Sequence, residues 1–324
     1  MPSTADHQRL SAVIPEELAG SRLDQALAAL FSDYSRSRLQ RWIKQGAVRV
    51  DGRVLRPRES VQGGEQVVVE VELEPDRSLA PEDIPLDCVF EDAHLLVLNK
   101  PPGLVVHPAA GNWAGTLQNA LIHHDPALAG LPRAGIVHRL DKDTSGLMVV
   151  AKSLTAHKAL VAALQAREVE REYLALVVGR IVAGGSLETE LGRHPVDRKR
   201  MAVVGQGKPA ITHYRVEERF RAHTLLRVRL ETGRTHQIRV HMAHLGHAIV
   251  GDPIYGGRLR IPAATGRELA DALQGFRRQA LHATRLRLRH PASGDWLEWQ
   301  AEPPADMTTL LELLRADARA AEGG

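Results

Sequence analysis

The sequence predicts an α+β protein in two unequal parts. Three observations predict it. The chain has 324 residues, more than the roughly 100–200 that one domain usually takes. Its charge changes sign abruptly: residues 36–58 carry eight bases against one acid, Asp51, whereas residues 71–87 carry six acids against one base, Arg77. Beyond that acidic, proline-bearing stretch, strand-like segments recur with few helical ones between them, the pattern of a mixed, largely antiparallel sheet. The expected organisation is a tail and first strand over 1–19, a small helical and hairpin module over 20–74, a linker over 75–86, a larger domain over 87–319 and a flexible tail over 320–324.

The elements follow in order. Met1 to Gln8 reads as unstructured, and a first strand is expected from Leu10 to Ile14. Ser21-Arg22-Leu23-Asp24 has capping-box spacing with Asp in place of Glu. Leu23, Leu27, Leu30 and Phe31 then recur at helical spacing. A second helix carries Leu39, Trp42 and Ile43 on one face and Arg36, Arg38, Arg41 and Lys44 on the other, and Gly46 stops it. Alternation around Asp51-Gly52 from Val48 to Val54 predicts a hairpin. A cationic module on an acidic connector points to a polyanionic partner, held by side-chain cations and the helix N-terminus. In the larger domain, strands are expected at 94–98, 169–179, 212–220 and 224–232. A hairpin is expected over 281–289 and 296–300. Helices are expected after Thr116, over 154–167 and from Asp306.

Composition excludes several classes. With 44% hydrophobic and 25% charged residues the chain is an ordinary soluble globular protein. No apolar run approaches the ~18 residues of a membrane helix. Met1 to Arg9 is polar and lacks the apolar core of a secretory leader, so a cytoplasmic protein with no membrane attachment is expected. The single cysteine, Cys88, permits no intrachain disulfide, which suits a reducing compartment. It precedes Val89 and Phe90 and reads as a small buried hydrophobe. Neither a Walker A pattern nor a dinucleotide fingerprint is present.

The most informative stretch runs from Gly135 to Lys152. Apolar residues enter it (Ile136, Val137) and leave it (Leu147 to Ala151) around a polar turn, a pattern of two buried strands joined by a tight connection. Asp141 sits in that turn between Arg139 and Lys142. A carboxylate among cations at a strand end is a candidate nucleophile or base, although Asp, Thr and Ser are also ordinary turn formers. His138-Arg139-Leu140-Asp141-x-x-Thr144-Ser145-Gly146 resembles the signature of the RluA family of pseudouridine synthases, and the resemblance extends from about Gly20 to about Arg319. It implies that Asp141 is the catalytic residue, and that the N-terminal module is an S4-like RNA-binding domain ahead of a pseudouridine synthase domain.

Two further motifs complete the expected site. Tyr173 lies in a strand beside charged residues. The resemblance makes it the aromatic that stacks on the target base, which must leave its own stack to react. In Glu231-Thr232-Gly233-Arg234-Thr235-His236-Gln237-Ile238-Arg239-Val240-His241, Thr235 reads as a helix cap, with Ile238, Met242 and Leu245 as the buried stripe. Here the resemblance supplies a basic residue, Arg239, that pairs with Asp141; such pairing favours an ionised carboxylate. Arg139, His138, Arg234 and His236 flank these motifs and are expected to face RNA, as are Arg36, Arg38, Arg41 and Lys44 in the first module. Arg193-His194-Pro195 with Arg198-Lys199-Arg200 forms a second basic loop suited to phosphates. His236, His241, His244 and His247 have spacings that invite a metal, yet no cysteine or carboxylate set accompanies them, so no metal is expected. The reaction the resemblance implies moves uracil from an N1–C1′ to a C5–C1′ bond, with Asp141 acting at C1′, at C6 or by assisting glycal formation. It requires no cofactor. The implied substrate is 23S rRNA or a large-subunit precursor, at uridines of the helix 69 loop, and a monomer is expected.

Overall fold

The computed structural model describes residues 6–31, 34, 36–73, 80–108, 112–198, 200–259 and 261–322. The chain forms two units, 1–76 and 77–324.

In the first unit, β1 (Asp6–Val13) pairs antiparallel along its whole length with β3 (Gln66–Leu73), and β2 (Val48–Val50) pairs with the other edge of β3. Helices α1 (Leu23–Leu30) and α2 (Arg36–Lys44) cover the sheet through Leu23, Leu27, Leu39 and Ile43, against Val48, Val67 and Val69. The expected tail is therefore partly strand. Asp6, His7, Gln8 and Arg9 are polar, so main-chain pairing holds them where side-chain alternation gives no signal. The expected capping box does not form. Arg22 is the N-cap without a side-chain bond, and the buried Asp24 carboxylate accepts from both Arg22 and Gln40. At Asp51-Gly52 the turn forms with both residues at positive φ, as expected. Its second arm stops after one bridge from Arg53 to Val50, and β2 takes β3 as its partner instead. Pro57 shortly after lacks the N–H that a continued ladder requires.

The second unit is built on a ten-stranded sheet. Its strands are β4 (Cys88–Glu91), β5 (Leu95–Lys100), β6 (Ser145–Ala151), β7 (Glu170–Val178), β8 (Gly185–Arg193), β9 (Met201–Val203), β10 (Lys208–Arg219), β11 (His223–Leu230), β12 (Leu281–Arg289) and β13 (Trp296–Gln300). The spatial order is β4-β5-β6-β12-β7-β11-β10-β8-β9, with β13 on β12. Every pairing is antiparallel except β6 with β12. Helices α3 (Leu117–His124), α4 (Leu154–Gln165), α5 (Gln237–His244), α6 (Arg267–Gly275) and α7 (Ala305–Glu322) complete it. Leu96, Leu98, Met148 and Val150 enter one core, while Leu95, Val97, Leu147 and Val149 from the same strands enter another. Central strands buried on both faces read as continuous apolar runs, which explains why β5 and β6 stood out in the sequence. Among the described residues, no helix is long and apolar enough to cross a membrane.

Three expectations need correction here. Cys88 is exposed, because β4 is the edge strand of the sheet. Ile136 and Val137 do not form a strand: a 3-10 turn over Pro132–Gly135 leads into a single bridge between Ile136 and Val150. Gly135 fixes that path, since a Cβ there would lie 2.0 Å from the Ala151 carbonyl oxygen. The third is the end of the segment read as linker. Residues 74–79 are outside the described residues, but Ala80 and Glu82 are fastened to the second unit: Asn119 Nδ2 donates to the Ala80 carbonyl, and the Glu82 carboxylate accepts from the Gly115 amide. Thr116 caps α3 in a full capping box with Asn119, as its position suggested.

Candidate active site

The turn that carries Asp141 is fixed from four sides. The Thr144 amide closes it by donating to the Asp141 carbonyl at 3.1 Å. Beneath it, the ammonium of Lys100, 1% exposed, donates to the carbonyls of Pro101 (2.7 Å), Leu104 (3.0 Å) and Lys142 (2.9 Å). Behind it, Gln279 Nε2 donates to Thr144 Oγ1 at 3.0 Å, and Ser145 Oγ meets His282 Nδ1 at 3.0 Å. The last constraint is Gly146, at φ +112°, where a Cβ would lie 2.3 Å from the Ala283 carbonyl oxygen. Only glycine lets β6 and β12 approach this closely, so the turn's exit is pinned to the sheet.

Arg239, 3% exposed, reaches this turn from α5. Its Nη1 donates to Asp141 Oδ2 at 2.9 Å. The rest of the guanidinium engages Asp252 in a two-point pair, Nε to Oδ2 at 2.7 Å and Nη2 to Oδ1 at 2.9 Å. Asp252 is held in turn by the amides of Ile254 (2.8 Å) and Tyr255 (3.0 Å). Burial works against its charge, but the Arg239 bonds and charge outweigh it and hold the Asp252 carboxyl below its usual range. Burial likewise opposes the Arg239 charge; the bonds and charges of Asp252 and Asp141 prevail and raise its pKa.

His236 is the N-cap of α5 with φ +57°, in place of the expected Thr235. The cap's own side chain makes no capping bond; Gln237 Oε1 accepts from the Arg234 amide instead. His236 Nδ1 lies 2.9 Å from Tyr255 Oη, and its Nε2 lies 3.9 Å from Asp141 Oδ1. With the tyrosine hydroxyl donating to Nδ1, an Nε2–H faces the carboxylate. Burial lowers the His236 pKa, opposed by Asp141 and helped by Arg239, so the ring tends to neutrality.

Tyr173 is 5% exposed on β7, between Val228 of β11 and Ala283 of β12. Burial raises its pKa, Arg171 opposing and Asp141 adding to the shift, so the phenol is protonated at neutral pH. Asp141, Tyr173, Arg239, His138, Arg139, Arg234 and His236 all line one cavity of about 570 Å³. The structure thus brings together all seven sequence-predicted residues of this domain. Arg139 and Arg234 are exposed at it. Arg41 and Lys44 are exposed on α2 of the first unit, and the side chains of Arg36 and Arg38 lie outside the described residues. In the second basic loop Arg193 and Arg198 are exposed, while Arg200 stacks over Tyr255 at 5.2 Å; Lys199 lies outside the described residues.

Three of the four histidines that invited a metal serve separate hydrogen bonds, His236 with Tyr255 as above, and His244 is exposed. His241 bridges Thr212 and Thr189 at 2.8 and 2.9 Å, and His247 bonds the Val178 carbonyl. Among the described residues the one group with metal-donor spacing is Cys88, Glu91 and His124 at the surface, where Glu91 is already paired with Lys152.

Residues 94–244 match the RNA pseudouridylate synthase family and residues 21–67 match the S4 domain. The chain is 57% identical over 319 residues to the ribosomal large subunit pseudouridine synthase D of Pseudomonas aeruginosa, covering 98% of this chain and all of that one. The chain belongs to the RNA pseudouridylate synthases. The protein of the same description from Escherichia coli strain K12 is 55% identical over 314 residues, 97% of this chain and 96% of its own. Among solved structures, human RNA pseudouridylate synthase domain containing 4 superposes with a TM-score of 0.54 at 25% identity, over 70% of this chain and 92% of that one. Human RNA pseudouridylate synthase domain containing 1 gives 0.53 at 26%, over 75% and 98%. The protein is an enzyme of the isomerase class with an S4 domain at its N-terminus, as the sequence motifs implied.

Sequence reasoning missed Asp252, Tyr255, Lys100 and Arg171. Asp252 lies in Gly251-Asp252-Pro253, where a turn acid draws no notice. Lys100 lies in Lys100-Pro101-Pro102-Gly103, which reads only as a strand breaker.

Proposed function

We propose that this enzyme isomerises uridines of large-subunit ribosomal RNA, in the helix 69 loop of 23S rRNA, with Asp141 as the nucleophile and no cofactor. The observation that carries this is the Asp141 carboxylate, fixed by Arg239 and lining the same cavity as Tyr173. The substrate reading rests on the kinship with the large-subunit synthases of Pseudomonas and Escherichia. The protein works as a cytoplasmic monomer whose partner is 23S rRNA or a large-subunit precursor.

The chemistry needs three services. Uracil must be detached from C1′, which Asp141 performs by attack at C1′ or C6 or by assisting glycal formation. The carboxylate must be ionised and aimed, which is the work of Arg239. The freed base must be held while it turns to present C5, which is the work of the Tyr173 ring. The proton lost from C5 is balanced by the one gained at N1, so no external acid, oxidant or nucleotide enters the balance. The protonated Tyr173 hydroxyl can give a proton while taking one, and so serve both ends of that exchange. The flipped base leaves a gap in the RNA stack; Arg139, exposed at the cavity, is placed to fill it. Arg36, Arg38, Arg41 and Lys44 of the S4 domain grip backbone phosphates.

The test is to incubate the enzyme with 23S rRNA from a strain lacking the corresponding synthase, then map pseudouridine by mass spectrometry. New pseudouridine confined to the helix 69 loop is the expected result. Modification elsewhere in the rRNA, or in tRNA alone, overturns the substrate assignment.

A further inference from the structure

Arg171 has no part in the chemistry described above. It stands on β7 two residues before Tyr173, so both side chains leave the strand on the same face, about 6–7 Å apart. Both line the cavity that holds Asp141. Arg171 is 8% exposed, and its buried Nε has no hydrogen-bond partner. Among the described residues, the other buried arginines of this domain are committed: Arg239 to Asp141 and Asp252, and Arg278 (9% exposed) to Asp306. Among the described residues, no carboxylate meets Arg171. It packs against Gly233, where a Cβ would lie 3.1 Å from its Nη1. A buried guanidinium without a counter-charge is costly, and a fold that keeps one in its reaction cavity leaves room for an anion to arrive.

His138 adds a second unmet donor. Its Nε2 accepts the Val149 amide hydrogen at 3.0 Å, which places the ring proton on Nδ1. That Nδ1 is buried and without a partner. Burial, and then the Arg171 charge, pull the His138 pKa down to about 3, so the ring is a neutral donor at working pH. Nε2 of His107, another lining residue, is likewise unpaired. Among the described residues, three of the four buried polar side-chain atoms without a partner therefore belong to this one cavity. Arg171 and His138 offer only donors, so the missing ligand must bring acceptor oxygens. In a nucleotide the base offers neutral carbonyls, and the phosphodiester alone offers anionic oxygens. The separation of Arg171 from Tyr173 along the strand resembles that of phosphate from base within one nucleotide.

We propose that Arg171, with the Nδ1–H of His138, forms a phosphodiester subsite that holds the backbone of the flipped uridine inside the reaction cavity. This rests on the reading of Tyr173 as the platform for that base.

The test uses an RNA stem–loop that the wild type converts, with a neutral methylphosphonate placed on the 5′ or the 3′ side of the target uridine. The wild type is expected to lose roughly 10- to 100-fold in kcat/KM at one of the two positions, the loss typical of a missing charged hydrogen bond. Arg171→Met is expected to lose a similar factor on unmodified RNA, in KM more than kcat, and to lose nothing further on the neutral RNA. Arg171→Lys is expected to recover part of the activity. Arg171→Met is also expected to melt no lower than the wild type, because it removes a buried charge that the free protein leaves unpaired. Equal losses in wild type and Arg171→Met from each neutral linkage overturn the subsite. So does full activity of Arg171→Met, or a drop in its melting temperature with unchanged KM. A wild type that converts no RNA at all overturns the functional reading itself, a result distinct from these.

Discussion

Asp141 and Asp252 share one guanidinium, yet their loss should have opposite consequences. Asp252 takes two of the three Arg239 hydrogen bonds, and its side chain is fully buried. Asp141 takes one, and its side chain is 18% exposed. In Asp252→Asn an amide nitrogen replaces a carboxylate oxygen. Oδ1 is already claimed by the amides of Ile254 and Tyr255, so the new NH2 faces the Arg239 Nε–H, donor against donor. Breaking a buried pair of this kind costs about 3–5 kcal/mol. Asp141→Asn keeps an acceptor for Nη1 and leaves the Asp252 pair whole, so its cost is that of weakening one charged hydrogen bond, about 1–1.5 kcal/mol. Urea unfolding of both variants measures the difference directly. Activity should run the other way: Asp141→Asn is folded and inactive, while folded Asp252→Asn retains activity reduced by about 10²-fold through misaim of Arg239 and Asp141. If Asp141→Asn is the less stable of the two, or Asp252→Asn costs under about 0.5 kcal/mol, the division of labour around Arg239 is wrong.

Other expectations follow from single contacts. Gly146→Ala should cost about 3 kcal/mol or more and lower activity with it, because the added Cβ meets the Ala283 backbone at a φ only glycine accepts readily; thermal melting checks it, and a melt within one degree of wild type refutes it. Tyr173→Phe keeps the ring and removes the hydroxyl, so single-turnover kinetics should show KM within about threefold and kcat down by about 10²-fold or more. An unchanged kcat would leave the residue with stacking alone. His241 is fully buried, and its pKa is pulled from 6.5 down to about 4 by burial, with His244 adding to the shift. Between those values the unfolded chain binds the extra proton. Stability should therefore fall as pH drops through that window, by about 2–3 kcal/mol between pH 7 and pH 4.5 from this residue. His241→Asn should remove that increment from urea unfolding compared at the two pH values, and an unchanged pH dependence would contradict it.

The parts of the site that the sequence disclosed are those written locally. Asp141 lies in a turn whose every neighbour has a role: Thr144 closes it, Ser145 anchors it to His282 and Gly146 admits β12. Tyr173 and Arg239 lie in similarly dense stretches. What escaped depends on residues far apart in the chain. The carbonyl cage of Lys100 draws on Lys142, 42 residues away, and the pairing of Asp252 with Arg239 arises where α5 meets the loop after it. Arg171 escaped for another reason: beside Glu170 and Glu172 it looks like an outward charge of a half-exposed strand, and only burial reveals its direction. In the fold, strongly apolar strands were legible, whereas β8 and β9 were not, β8 being exposed along much of its length and β9 a three-residue, half-buried strand. Register escaped as well, since nothing local says that β2 pairs with β3 across residues 51–65.

The decisive measurement is the release of tritium from 23S rRNA carrying that label at uridine C5, by the wild type and by Asp141→Asn of confirmed fold. Pseudouridine formation must expel the C5 hydrogen, so the wild type should release tritium in proportion to pseudouridine formed and the variant should release none. Release by Asp141→Asn within tenfold of the wild-type rate would contradict the assignment of Asp141 as the nucleophile, and with it the role of Arg239 in aiming that carboxylate.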